Sequence, residues 1–299
     1  MKTVNALIKR NIKLFFKDKA MFLTSLITPV ILLVLYITFL GNIYKDSFMQ
    51  NIPDAAALPE KLMNGLVGGQ LISSILAVSC VTVAFCANFL SVQDKATGVV
   101  KDLRTSPVKP WKLALSYCIS GVISTFIICF TAAAVCLIYV ASVGWYMTVT
   151  DVLFLLLDVV LLVLFGISLS SVISFFLSTQ GQISAVGSMV SSCYGFISGA
   201  YMPISSFGEG LQTVISFLPG TYGTALLRNH AMRGTLDGLK REGVPDQAID
   251  VLRDTLDCNV YFFGNKVSTP VMYAVLCGAT IVLFAVYVML NAFAKKSRK

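Results

Sequence analysis

The chain has 299 residues, of which 56% are hydrophobic and only 13% charged, and its mean hydropathy is +0.80. Globular domains carry about one quarter charged residues, so these values exclude a soluble enzyme and predict an all-α integral membrane protein, a single membrane domain over residues 1–299. The formal net charge of +8 does not point to nucleic acid, because the basic residues gather at the ends of apolar runs rather than on one soluble face.

Residues 1–19 are basic. Val4, Leu7, Ile8, Ile12 and Phe15 recur at spacings of three and four, while Lys9, Lys13 and Lys17 share another face. This pattern predicts an interfacial amphipathic helix along the membrane surface. A first span follows over about 20–40, with Pro29 inside it to kink or distort the helix. Residues 41–64 read as an extracytoplasmic loop and 65–90 as a second span.

The stretch 91–112 is polar and basic, with Lys95, Lys101, Arg104, Lys109 and Lys112 against Asp94 and Asp102. Loops rich in Lys and Arg stay cytoplasmic, which orients the whole chain. A third span over 113–140 leads to a short link holding Trp145 and Tyr146, then a fourth span over 152–177. Asp158 lies inside that span. Its carboxylate is read as reaching the outer interface, with a place lining a transport path as the alternative.

A fifth span begins near Gln182 and carries Gly187, Ser191, Gly195 and Gly199 at every fourth position. Such a stripe lets another helix approach closely; the other reading is a polar groove. Residues 200–227 are broken by Pro203, Gly208, Pro219 and Gly220 into pieces too short to cross a bilayer. They are expected to form a re-entrant segment that dips into the outer leaflet and returns. Residues 228–268 hold charges of both signs and an apolar face at Ala248, Ile249, Leu252 and Leu256, the mark of a small extracytoplasmic helical insert. Cys258 stands there alone and is expected to face the outside solution. A sixth span covers 269–293, and Lys295, Lys296, Arg298 and Lys299 put the following tail in the cytoplasm. The topology is six transmembrane helices with both termini cytoplasmic, and it places 15 of the 23 Lys and Arg residues on the inner side.

No catalytic constellation is present, and the single histidine, His230, argues against a histidine metal site. No G-x-x-x-x-G-K-[ST] loop occurs, so this chain is expected to bind no ATP of its own.

The order and spacing of two segments resemble the permease subunits of type-2 ATP-binding-cassette exporters. In the first, an acid is followed by Gly four later, apolar positions and Ser-Pro: Asp94, Gly98, Val100, Leu103, Ser106 and Pro107. Asp94 stands where that family usually has Glu. The second runs from Phe196 to Arg228, a small-rich span, a Pro-containing turn and a re-entrant pair, with Leu218-Pro219-Gly220 where the family has an Asn-Pro-like element. The resemblance implies a multi-pass cell-membrane protein that is not itself an enzyme. It implies export powered by a separate cytoplasmic ATPase subunit carrying ATP and Mg, and a second permease subunit, identical or homologous, in the bilayer. It also implies that Asp94, Gly98, Val99, Val100, Leu103, Arg104, Ser106 and Pro107 belong to the helix that couples to the ATPase. Helix-in-groove docking suits that segment's apolar knobs, Val99, Val100 and Leu103. A secondary transporter or channel, or a membrane-anchored sensor working through the insert, are the other classes compatible with the residues.

Overall fold

A computed structural model describes residues 2–51, 58–105 and 108–293. Ser106, Pro107 and the basic tail from Lys295 to Lys299 lie outside the described residues. Among those described, all but one short hairpin of the regular structure is helical.

Helix α1 (Lys2–Lys17) turns its Leu7, Asn11 and Phe15 inward and leaves Lys9, Lys13 and Lys17 exposed. It ends at Asp18, whose side chain accepts from the Ala20 and Met21 amides and so starts α2 (Lys19–Leu35), the usual work of an aspartate N-cap. Pro29 sits inside α2 without ending it. The helix distorts further on, in a π-turn at Tyr36–Leu40, and then continues as α3 (Gly41–Asn51). Helix α3 replaces the first part of the expected loop. Its cause is aromatic packing: Tyr36 stacks on Tyr44 at 5.6 Å, Tyr44 meets Phe48, and Phe48 is fully buried.

Helix α4 (Glu60–Ala96) overruns the expected second span at both ends and is the axis of the molecule. Its apolar residues occupy every face, as in a helix surrounded by others, and α2, α6, α7, α8 and α10 all pack on it. Small residues permit this crowding. A Cβ added to Gly65 would lie 2.8 Å from the Gly144 carbonyl oxygen, and one on Gly69 would lie 2.7 Å from the Met232 side chain.

The remaining helices are α5 (Val99–Thr105), α6 (Pro110–Val143), α7 (Val149–Phe176), α8 (Gln180–Ile197), α9 (Glu209–Ser216), α10 (Pro219–Arg241), α11 (Asp246–Thr255) and α12 (Thr269–Phe293). A two-stranded antiparallel hairpin, β1 (Tyr261–Phe262) with β2 (Asn265–Lys266), precedes α12. Two expected boundaries move. The stretch 91–112 is mostly helix, namely the end of α4, then α5, then the start of α6. The division at 227/228 falls inside α10, one continuous helix buried against α4, α7 and α12.

Among the described residues, five helical segments are long and apolar enough to cross a membrane: Lys19–Asp46, Glu60–Ala96, Pro110–Val143, Val149–Phe176 and Thr269–Ala292. Helix α8, the expected fifth span, is not among them, because its 18 residues include two glutamines and four serines.

Candidate functional site: the α1–α5 end and two polar clusters

At one end of the bundle, three sequence-distant segments meet. Gly98 takes a left-handed φ of +85°, which glycine adopts without a Cβ penalty, and this turn reverses the chain from α4 into α5. Leu7 of α1, Leu90, Val100, Leu113 and Tyr117 form one apolar cluster, with Leu103 packed against it. The expected docking face of α5 therefore points inward. Val100 and Leu103 are spent on the protein's own core, because three and four residues of spacing put both on one side of the helix and that side finds α1 and α6. Val99 is half-buried, while Thr97, Lys101, Asp102 and Thr105 face out. Arg104 belongs to α5.

Asp94 is also committed internally. It is buried, and its carboxylate accepts from Arg10 of α1 at 2.8 and 3.3 Å and from the Tyr117 hydroxyl of α6. The facing carboxylate raises the Arg10 pKa above its ordinary value, through a direct hydrogen bond. One residue on, Lys95 donates to the carbonyls of Ser174, Phe175 and Leu177 at 2.8, 3.1 and 3.2 Å. It satisfies the last carbonyls of α7, where a cation also opposes the negative end of the helix dipole. Deeper in the bundle, Asn88 bridges α4 to the Ile167 carbonyl and to Ser170 and Ser171 of α7.

The opposite half holds two further clusters. Asp158 is fully buried and reaches no interface. Its two oxygens meet the Tyr273 hydroxyl and His230 Nδ1, each at 2.6 Å, and Phe154 stacks on the imidazole at 5.1 Å. The acid thus ties α7 to α10 and α12. The lone histidine is its partner, a pairing no spacing could reveal across 72 positions.

Arg228 is 1% exposed and bonds Asp257 at 3.1 Å, the Gly199 carbonyl at 2.6 Å and the Ser198 carbonyl at 3.3 Å. Asp257 also accepts from the Ile204 amide. Burial pushes the Asp257 carboxyl up, and the Arg228 guanidinium and the Ile204 amide pull it back. This cluster joins the turn after α8, the middle of α10 and the insert. Cys258 beside it is fully buried, and burial pushes its thiol up to about 12. The expected outside exposure of Cys258 is therefore corrected: the insert folds down and covers it.

The expected stripe on α8 meets neighbours of three kinds. Gly187 faces the Phe89 ring, Gly195 lies under Tyr201 of the following turn, and Gly199, at φ +67°, faces Arg228 and Asp257. The Ser191 carbonyl accepts from the Tyr201 hydroxyl at 3.3 Å. Ser184, Ser188 and Ser192 beside the stripe are exposed. Pro203 precedes a single 3-10 turn, Gly208 is the N-cap of α9, Pro219 opens α10, and Gly220 packs on Tyr194.

Long apolar helices around one buried helix, with polar side chains paired inside, define a multi-pass membrane protein. Residues 2–231 match the family of ABC-2 type transporters, and the chain belongs to that family: it is a membrane-embedded transport permease. No curated protein matches the chain at a significant level.

Proposed function

We propose that this chain is the membrane-spanning subunit of an ATP-binding-cassette exporter, moving substrate outward with ATP hydrolysed on a separate subunit. The observation that carries the reading is α5. It is a short helix set between two spans, fastened to the core by Val100 and Leu103, with Lys101, Asp102 and Thr105 turned outward. A helix anchored on its apolar side moves with the bundle as one body, so a partner gripping its polar side can transmit motion. Asp94, Arg10 and Lys95 stiffen the mount. In this reading ATP and Mg belong to the ATPase.

The same reading makes α8 the fifth of six spans. Its 18 residues rise about 27 Å, close to the hydrocarbon thickness, and its exposed serines suit a path or a second permease subunit better than lipid. Residues 200–227 serve as the re-entrant segment. Gly223 packs on Leu162 and Gly220 on Tyr194, at the level of the middle of α7, while Gly234 touches the α6–α7 link at Tyr146. Basic α1 and α5 then lie on the cytoplasmic side of the cell membrane with both termini, following the positive-inside rule, and the insert lies outside.

The test reverses charge on the outer side of α5. Lys101→Glu with Asp102→Lys is expected to leave the melting temperature of the purified chain unchanged, and to abolish co-purification with its ATPase subunit and stimulation of that subunit's hydrolysis. Unaltered association and hydrolysis would remove α5 as the coupling element.

A further inference from the structure

A groove runs between α6 and α12 at the end that carries α5. Ala114, Leu115 and Cys118 form one wall and Phe284, Tyr287 and Val288 the other, enclosing about 100 Å³. The Tyr287 hydroxyl donates to the Ala114 carbonyl at 3.4 Å and closes its floor. The walls are almost wholly apolar and both helices are long and apolar enough to span a membrane, so the groove suits hydrocarbon better than water.

The rim has a different chemistry. Trp111, 56% exposed, stands at the mouth with Asn291 across from it. The Lys112 ammonium lies 5.7 Å above the Trp111 ring, and Lys109 is exposed at the start of α6. Among the described residues, no acid lines the groove. An apolar slot whose mouth carries an interfacial tryptophan and a lysine matches a molecule with an acyl chain and a negative headgroup at the membrane surface.

We propose that this groove is a binding site for an anionic phospholipid, one acyl chain lying along α6 and α12 and the phosphate held at Lys112 beside Trp111. The assignment of the lipid to the inner leaflet rests on the orientation proposed above; the site itself does not. Because α6 begins at Pro110, five residues after α5 ends at Thr105, and the Lys109–Lys112 rim continues from that link, a bound headgroup sits where it steadies the coupling helix.

The protein supplies its own reporter. Trp111 and Trp145 are its two tryptophans, and Trp145 lies in the α6–α7 link at the opposite end, so Trp145→Phe leaves Trp111 alone. The full chain carrying that change is reconstituted in phosphatidylcholine vesicles with rising fractions of acyl-brominated phosphatidylglycerol or acyl-brominated phosphatidylcholine. Half-maximal quenching is expected at about fivefold lower mole fraction for the anionic lipid, the scale of one basic residue near a surface. Lys112→Gln is expected to bring the two lipids to parity, with Lys109→Gln having a smaller effect. Equal quenching by both lipids in the parent would mean bulk lipid only. Absence of quenching by either would mean that protein covers the groove. Both overturn the site. Orientation is read separately, from impermeant-maleimide labelling of Thr97→Cys in a Cys193→Ser background. Labelling from outside would overturn the inner-leaflet assignment and leave the quenching result standing.

Discussion

Of the three acid–arginine pairs that fasten distant parts of this chain among the described residues, Arg10–Asp94 and Arg228–Asp257 lie toward opposite ends of the bundle and differ in their exposure to water. Arg10 and Asp94 are 30% and 8% exposed at their side chains, whereas Arg228 and Asp257 are 1% and 7% exposed. The first pair pins a surface helix, α1, onto the ends of α4 and α6. The second is enclosed on all sides by the turn after α8, by α10 and by the insert. An enclosed pair cannot be halved without leaving a buried charge, while a pair open to solvent on one side can exchange its partner for water. The Arg228–Asp257 pair is therefore a fixed joint, and the Arg10–Asp94 pair is a clasp at the end that carries α5.

The strongest way to break this contrast is at the joint. Arg228→Met strands the Asp257 carboxylate and the carbonyls of Ser198 and Gly199, and should cost about 3–5 kcal/mol of stability. The measurement is thermal unfolding of the detergent-purified chain. Arg228→Met with Asp257→Leu should recover much of the loss, since the stranded charge is gone. A single variant as stable as the parent would mean that the pair is not enclosed.

At the clasp, Asp94→Asn keeps the shape and removes the charge. It should cost about 1.5–3 kcal/mol, the range for hydrogen bonds to charged groups, and should speed hydrogen exchange in α1 while leaving α10 unchanged. Raising the salt concentration sharpens the contrast: a partly exposed pair is screened more than a buried one, so α1 protection should fall with salt and the insert's should not. Equal sensitivity at both ends would dissolve the distinction.

The smallest effect is a chemical one beside the joint. Cys258 is buried and its thiol is held up at about 12, so the reactive thiolate is scarce. An impermeant thiol reagent should leave Cys258 unmodified in the native protein and modify it once the insert is unfolded with denaturant. Rapid native labelling would show that the insert opens on its own.

Much of the architecture was legible in the sequence, because each feature that carried it is local. Apolar length marks spans, the three-and-four spacing with lysines opposite marks α1, and the Gly98 turn with its flanking pattern marks α5. The family match over residues 2–231 agrees with what that pattern implied. Periodicity gave the right face of α5 but not its partner: Val100 and Leu103 do share a side, and that side meets Leu7 and Leu113 instead of an outside groove. The small residues of α8 and the turn after it form a four-membered stripe, whereas Gly65 and Gly69 of α4, where a Cβ would meet the backbone of the α6–α7 link or the side chain of Met232, are a single glycine pair at the same four-residue spacing.

What the sequence by itself determined is which segments seek lipid, which seek water and which side of each surface helix is apolar, since these follow from side-chain transfer energies and helix geometry within a few turns. Only the tertiary structure decided that Asp158 meets His230 and Tyr273, that Asp94 meets Arg10, that Arg228 meets Asp257 and that Cys258 is covered. A buried polar group must find a partner, but the chain places no limit on how far along the sequence that partner stands; the choice is made when helices that are neighbours in space, not in order, close around α4.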